Sequence, residues 1–155
     1  MNYKLLYQWE AELAAHLPGM NSWQIENMAL FSYGIVRAES CQQGTVARQV
    51  NCGERVESTA RRWRRFLDNE QFPLTEFFSA WSKWVVEALG SQTVTLLVDE
   101  TKVHDRMGVL LVGIAWEGRC IPLAWRTYIA NSETDYPSEG QVKVIEGLLQ
   151  HFKAG

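Results

Sequence analysis

Apolar positions follow a helical period up to Gly90 and a strand-like pattern beyond it. Leu5, Leu6, Trp9, Leu13 and Leu17 share one stripe, which predicts a helix over 3–16 stopped by Pro18–Gly19. Ser22 stands where an N-cap belongs for a second helix through about 37, with Trp23, Ile25, Met28, Ala29 and Phe31 as candidate core. A short helix near 45–50, a turn at Asn51–Cys52–Gly53 and a longer helix over about 55–68 follow. Val56, Ala60, Trp63 and Leu67 repeat at helical spacing in the last of these and are expected to face inward. After a break at Pro73, "LTEFFSAWSKWVVEALG" puts Leu74, Phe77, Phe78, Trp81, Trp84, Val85 and Ala88 on one face, and Gly90 takes the C-cap position.

The run "TVTLLVD" is β-rich and mostly apolar, so it predicts a strand buried on both faces and ended by Asp99. "GVLLVGIAW" and "RCIPLAWRTYI" predict two more strands, joined as a hairpin by Glu117–Gly118. Pro122 cannot donate to a ladder, so the third strand is expected at a sheet edge or with a bulge. "NSETDYPSEG" reads as loop, and a final helix is expected from near Ser138 towards His151. The pattern is α+β: a helical domain over 1–72, then a linking helix and a three-stranded antiparallel sheet with its helix over 73–155.

A chain of 155 residues makes one ordinary domain or two small ones, and 46% hydrophobic with 21% charged residues is enough to build a core. The N-terminus has no basic region followed by an apolar run, so no signal peptide is visible. No apolar stretch approaches the roughly 18 residues of a membrane span, and no membrane partner is expected. Cys41, Cys52 and Cys120 are odd in number and lack CxxC spacing, which fits reduced thiols in a cytoplasmic protein and does not fit a zinc site. Net charge is −3, spread unevenly: residues 1–70 hold eight basic and eight acidic side chains, residues 71–155 seven and ten. That balance argues against wholesale coating of nucleic acid but leaves room for one local basic face.

Such a face is present in "RVESTARRWRR". Arg55, Arg61, Arg62, Arg64 and Arg65 oppose a single Glu57, a net of five minus one. Arg55, Arg62 and Arg65 are expected opposite the apolar stripe. A short helix, a tight glycine turn and an arginine-bearing helix match a helix-turn-helix, whose second helix enters the major groove and contacts phosphates or guanine edges. The same pattern also fits a simple solvated helix face. Asp99 is the second candidate. A carboxylate at the end of a strand suits a hard divalent cation such as Mg²⁺, and it equally suits a turn cap beside Thr101.

The two constellations occur together with "LLVDETKVHDRMGVLLVGIAWEGRCIPLAWRTY", and this combination resembles the DDE transposases of bacterial insertion sequences, transposon-five-like branch. Asp99, Glu100 and Thr101 match the family's D-x-T pattern. Gly118, Arg119, Ile121, Pro122, Leu123, Ala124 and Trp125 match its "xGR-x-IPLAW" turn and strand. The resemblance implies an RNase H-like catalytic domain after a helical DNA-binding domain, with transposon-end DNA as partner and Asp99 as the first Mg²⁺-binding carboxylate of a catalytic triad. It also places the strand ending at Asp99 in mid-sheet, beside a fourth strand that this chain lacks, so Thr93–Val98 is expected to have a bare apolar edge and the chain to self-associate. The second Asp and the Glu of the triad belong beyond Gly155, so the chain reads as an N-terminal fragment, inactive alone. Glu100, His104, Asp105, Glu117, Asp135 and Glu139 do not fall on the motif and read as surface or turn residues. A transposase that keeps end binding, and a regulator that competes with or associates with a full-length transposase, share all these features.

Overall fold

The computed structural model describes residues 2–50, 53, 55–90, 93–132 and 141–150. Within them the order is α1 (Tyr3–His16), α2 (Ser22–Ala38), α3 (Gln43–Gln49), α4 (Val56–Leu67), α5 (Leu74–Leu89), β1 (Leu96–Val103), β2 (Met107–Trp116), β3 (Arg119–Ile129) and α6 (Gln141–Leu149). The chain divides into two compact units, 1–77 and 78–155. The division falls within α5.

In the first unit, α1 ends where Pro18–Gly19 forbids another turn, and Leu6, Leu13 and Leu17 are buried. Leu5 of the expected stripe points outward, 50% exposed. The cap of α2 is Asn21, not Ser22: its side chain accepts from Gln24 N, and the Gln24 side chain accepts from Asn21 N, both at 2.9 Å. Ile25, Ala29 and Phe31 are core as expected, whereas Trp23 is exposed. Gly34 lets α3 approach α2, because a Cβ there would lie 2.6 Å from Val50 Cγ1 and 2.7 Å from Val46 Cγ1. Aromatic rings close the unit: Phe31 stacks on Trp63 at 5.0 Å, and Phe66 contacts Phe31, Trp23 and Phe72.

The second unit is built on an antiparallel sheet of order β1-β2-β3. Glu117 and Gly118 join β2 to β3 with φ of 47° and 75°, the left-handed pair that a two-residue type I′ hairpin needs. Both expectations for Pro122 hold. β3 is an edge of the sheet, and the ladder slips between Val112 and Gly113, where Pro122 faces Gly113, Ala124 faces Val112 and Leu123 is the extra residue. Leu123 and Ile114 are fully buried and form a cluster with Val85 of α5, flanked by Trp81, Leu89 and Ile121. Trp81 Nε1 donates to the Pro122 carbonyl at 2.8 Å, and Phe78 packs edge-on against Trp125 at 4.9 Å. Helix α6 packs on β2 and β3. Leu74 and Ala88 of the expected α5 face are exposed. Gly90 takes φ 60° after α5, as a C-cap glycine should.

β1 departs most from expectation. It does not end at Asp99 but runs on to Val103, and every residue in it is exposed. Among the described residues it lies at the edge of the three-stranded sheet, as expected where the fourth strand is lacking. An apolar run alone does not say whether a second strand or a helix covers it. Among the described residues β1 pairs on one side only, and all its residues are exposed.

Candidate functional site

Arg55 is the N-cap residue of α4, and Arg61, Arg64 and Arg65 are exposed on the helix itself. The last three stand at i, i+3 and i+4, so they form one stripe on the surface. Thr59 and Trp63 are buried on the other side, and Phe66 packs among the aromatic rings. Leu67, expected inward, is 58% exposed, while Phe66 fills the inward position at the helix end. Among the described residues, no ion pair or hydrogen bond holds the guanidinium groups of Arg55, Arg61, Arg64 and Arg65. Helices α2, α3 and α4 contact one another, so α4 is held along its buried side. Gly53, before α4, has φ 94°, a backbone that favours glycine. Asn51 and Cys52 of the expected turn lie outside the described residues.

Arg62 is placed differently from the other four. It was expected opposite the apolar stripe, yet it turns towards α2. Its Nε donates to Asn27 Oδ1 at 2.6 Å, and a terminal nitrogen lies 2.6 Å from Glu26 Oε1. Asn27 is fully buried and also donates to the Trp23 carbonyl at 2.6 Å. A buried amide of this kind needs partners, and Arg62 supplies the one for its oxygen. Nothing in the local pattern distinguishes Arg62 from Arg61 or Arg65, because its partners lie 35 and 36 residues upstream.

Asp99 sits inside β1, opposite Leu111, and Leu111 in turn faces Trp125. Its side chain shares a sheet face with Leu97, Thr101 and Val103, and it is exposed. Glu100 points to the opposite face, where its carboxylate accepts from the Tyr128 hydroxyl across the sheet. Gly108 makes this reach possible, since a Cβ there would collide with the Tyr128 ring. His104, with φ 55°, and Asp105 lie in the turn between β1 and β2. Asp135 and Glu139 lie outside the described residues. Among the described residues, no three His, Cys, Asp or Glu side chains gather as they would around a metal. A lone exposed carboxylate is a poor fit for a tightly held Mg²⁺ pair, which takes several converging oxygens. No described helix is long and apolar enough to cross a membrane. Comparison with known proteins adds no relative: no protein-family model, no curated protein and no solved structure matches the chain.

Proposed function

We propose that the protein binds DNA through α4, as the end-binding part of a transposase-like protein. The observation that carries this reading is the stripe of Arg61, Arg64 and Arg65 on a helix whose opposite side is anchored by Trp63 and Phe66. Unpaired guanidinium groups on a fixed helix present a positive surface to phosphates, with bidentate geometry available for guanine edges. Arg55 at the helix start extends the same surface. Arg62 serves this reading indirectly, by holding α4 against α2. The resemblance of the Asp99–Trp125 segment to transposases supplies the substrate class, transposon-end DNA. In this reading the protein binds transposon ends without cleaving them. In that form the protein acts as a regulator, occupying ends that a complete transposase would use.

Salt-dependent binding to insertion-sequence end DNA tests the reading. Each phosphate contact contributes about −0.9 to the slope of log K against log salt. Changing Arg61, Arg64 and Arg65 together to Ala is expected to flatten the slope by about two to three units. A triple variant that keeps the wild-type affinity and slope would remove α4 as the binding element.

A further inference from the structure

We infer that the first turns of α4 read DNA sequence, with Glu57 accepting from a cytosine N4 amino group and Arg61 donating to a guanine, while Arg64 and Arg65 hold phosphates. The inference rests on the DNA-binding reading of α4. Glu57 is the one acidic residue of that helix, and it stands exposed in the first turn. Glu57, Arg61 and Arg64 follow one another at i, i+4 and i+7, on the side away from buried Thr59 and Trp63. A Glu four residues before a basic residue is the favoured order for a helical ion pair. Among the described residues, however, Glu57 holds no ion pair and no hydrogen bond, with Arg61 or with any other group. A free carboxylate within a phosphate-binding surface repels an approaching duplex unless it meets a donor. In the major groove the donors are the exocyclic amines of cytosine and adenine. The adenine amine stands beside N7, an acceptor that repels a carboxylate, whereas cytosine presents its amine alone, so cytosine is selected.

The division of labour along α4 follows from docking geometry and side-chain length. In a helix-turn-helix the N-terminal residues of the second helix meet base edges. Glu57 and its neighbour Ser58 are short, so their end of α4 can lie close to the groove floor. Arg64 and Arg65 stand in the last turn and are long enough to reach phosphates from further away. Four residues of helix advance about 6 Å, and successive base pairs stack about 3.4 Å apart. Glu57 and Arg61 therefore reach bases within about two base pairs of each other. The class of site is a cytosine and a guanine so spaced, read by one helix. An acid in a first turn also suits the positive end of the helix dipole, and Arg55 at the N-cap makes no side-chain cap bond of its own. That role stabilises α4 equally on every DNA sequence and selects none, so base preference separates the two.

Selection of the 155-residue chain on a pool of randomised duplex DNA tests the inference, followed by binding to duplexes that differ at one base pair. The wild type is expected to select a cytosine and a guanine at that spacing, and to lose about tenfold in affinity when either is changed. Glu57→Gln replaces the carboxylate by an amide, which accepts from adenine N6 and donates to N7. The preference at the cytosine position is therefore expected to change to adenine, with the guanine kept. Glu57→Ala is expected to erase the preference at that position alone, and Arg61→Ala to erase the guanine preference alone. The slope of log K against log salt is expected to stay the same in Glu57→Gln, because no phosphate contact is lost. A Glu57→Gln variant that keeps the cytosine preference, or that changes affinity equally on all duplexes, would overturn the inference. So would a wild type that binds duplexes with no preferred sequence. Those outcomes leave salt-dependent binding by the arginine stripe standing. A wild type that binds no duplex at all would overturn the DNA-binding reading itself, and this inference with it.

Discussion

The helical unit and the sheet unit handle their polar residues in opposite ways. In the first, the buried polar groups Asn27 and Gln24 have named partners, and Arg62 and Trp63 fasten α4 from its inner side. In the second, α5, β2 and β3 form a core around Ile114 and Leu123, but Ser82, fully buried in α5, has an Oγ without a hydrogen-bond partner among the described residues, and β1 stays exposed along its whole length. The contrast teaches that a candidate site inherits the rigidity of what lies beneath it. The arginine stripe stands on a packed helix, whereas Asp99 stands on a strand held by one ladder.

The largest expected effect is at the packing that fixes α4. Trp63→Ala removes a buried ring stacked on Phe31 and is expected to cost about 3–5 kcal/mol of the helical unit's stability, read by chemical denaturation. An unchanged midpoint would place the unit's core elsewhere. Next comes the latch between α4 and α2. Arg62→Ala leaves the buried Asn27 oxygen unpaired and is expected to cost about 1–3 kcal/mol. Glu26→Gln tests the charged half of the same contact. Glu26 is half exposed, so solvent screens the pair and less than about 1 kcal/mol is expected. If the two variants are equally damaging, the ion pair and not the amide bond holds the latch. The smallest effect is expected at Asp99. Asp99→Asn on the exposed strand should shift stability by no more than about 0.5 kcal/mol, and a larger loss would reveal a partner that the isolated strand does not have.

The helix and strand positions were readable from periodicity, because helical and strand spacings differ strongly where apolar residues are dense. Pro18, Pro73, Gly90 and Glu117–Gly118 mark their boundaries for reasons of backbone geometry alone. Burial was less readable. Leu67 and Phe66 are neighbours with similar hydropathy, and only the ring of aromatic partners supplied by α2 and Phe72 draws Phe66 in. The end of β1 is not legible in the pattern, because a charged residue stops a strand only where that strand is buried. On an exposed strand Asp99, Glu100 and Lys102 cost nothing, and the strand continues. The inward turn of Arg62 is hidden for a related reason: a guanidinium group reads as outward until a buried acceptor from a distant helix meets it.

The Tyr128 ring lies against Gly108 on its way to Glu100, so it bridges β3, β2 and β1 in one span. A glycine α-proton held against an aromatic ring feels that ring's magnetic field. In a proton–carbon correlation spectrum, Gly108 should therefore stand apart from the other glycines whenever β3 lies in register beside β2. The phenol's own resonance follows the bond to β1. Two signals from one chain thus report the two ladders separately, and they would show which of them loosens first as the sheet is warmed.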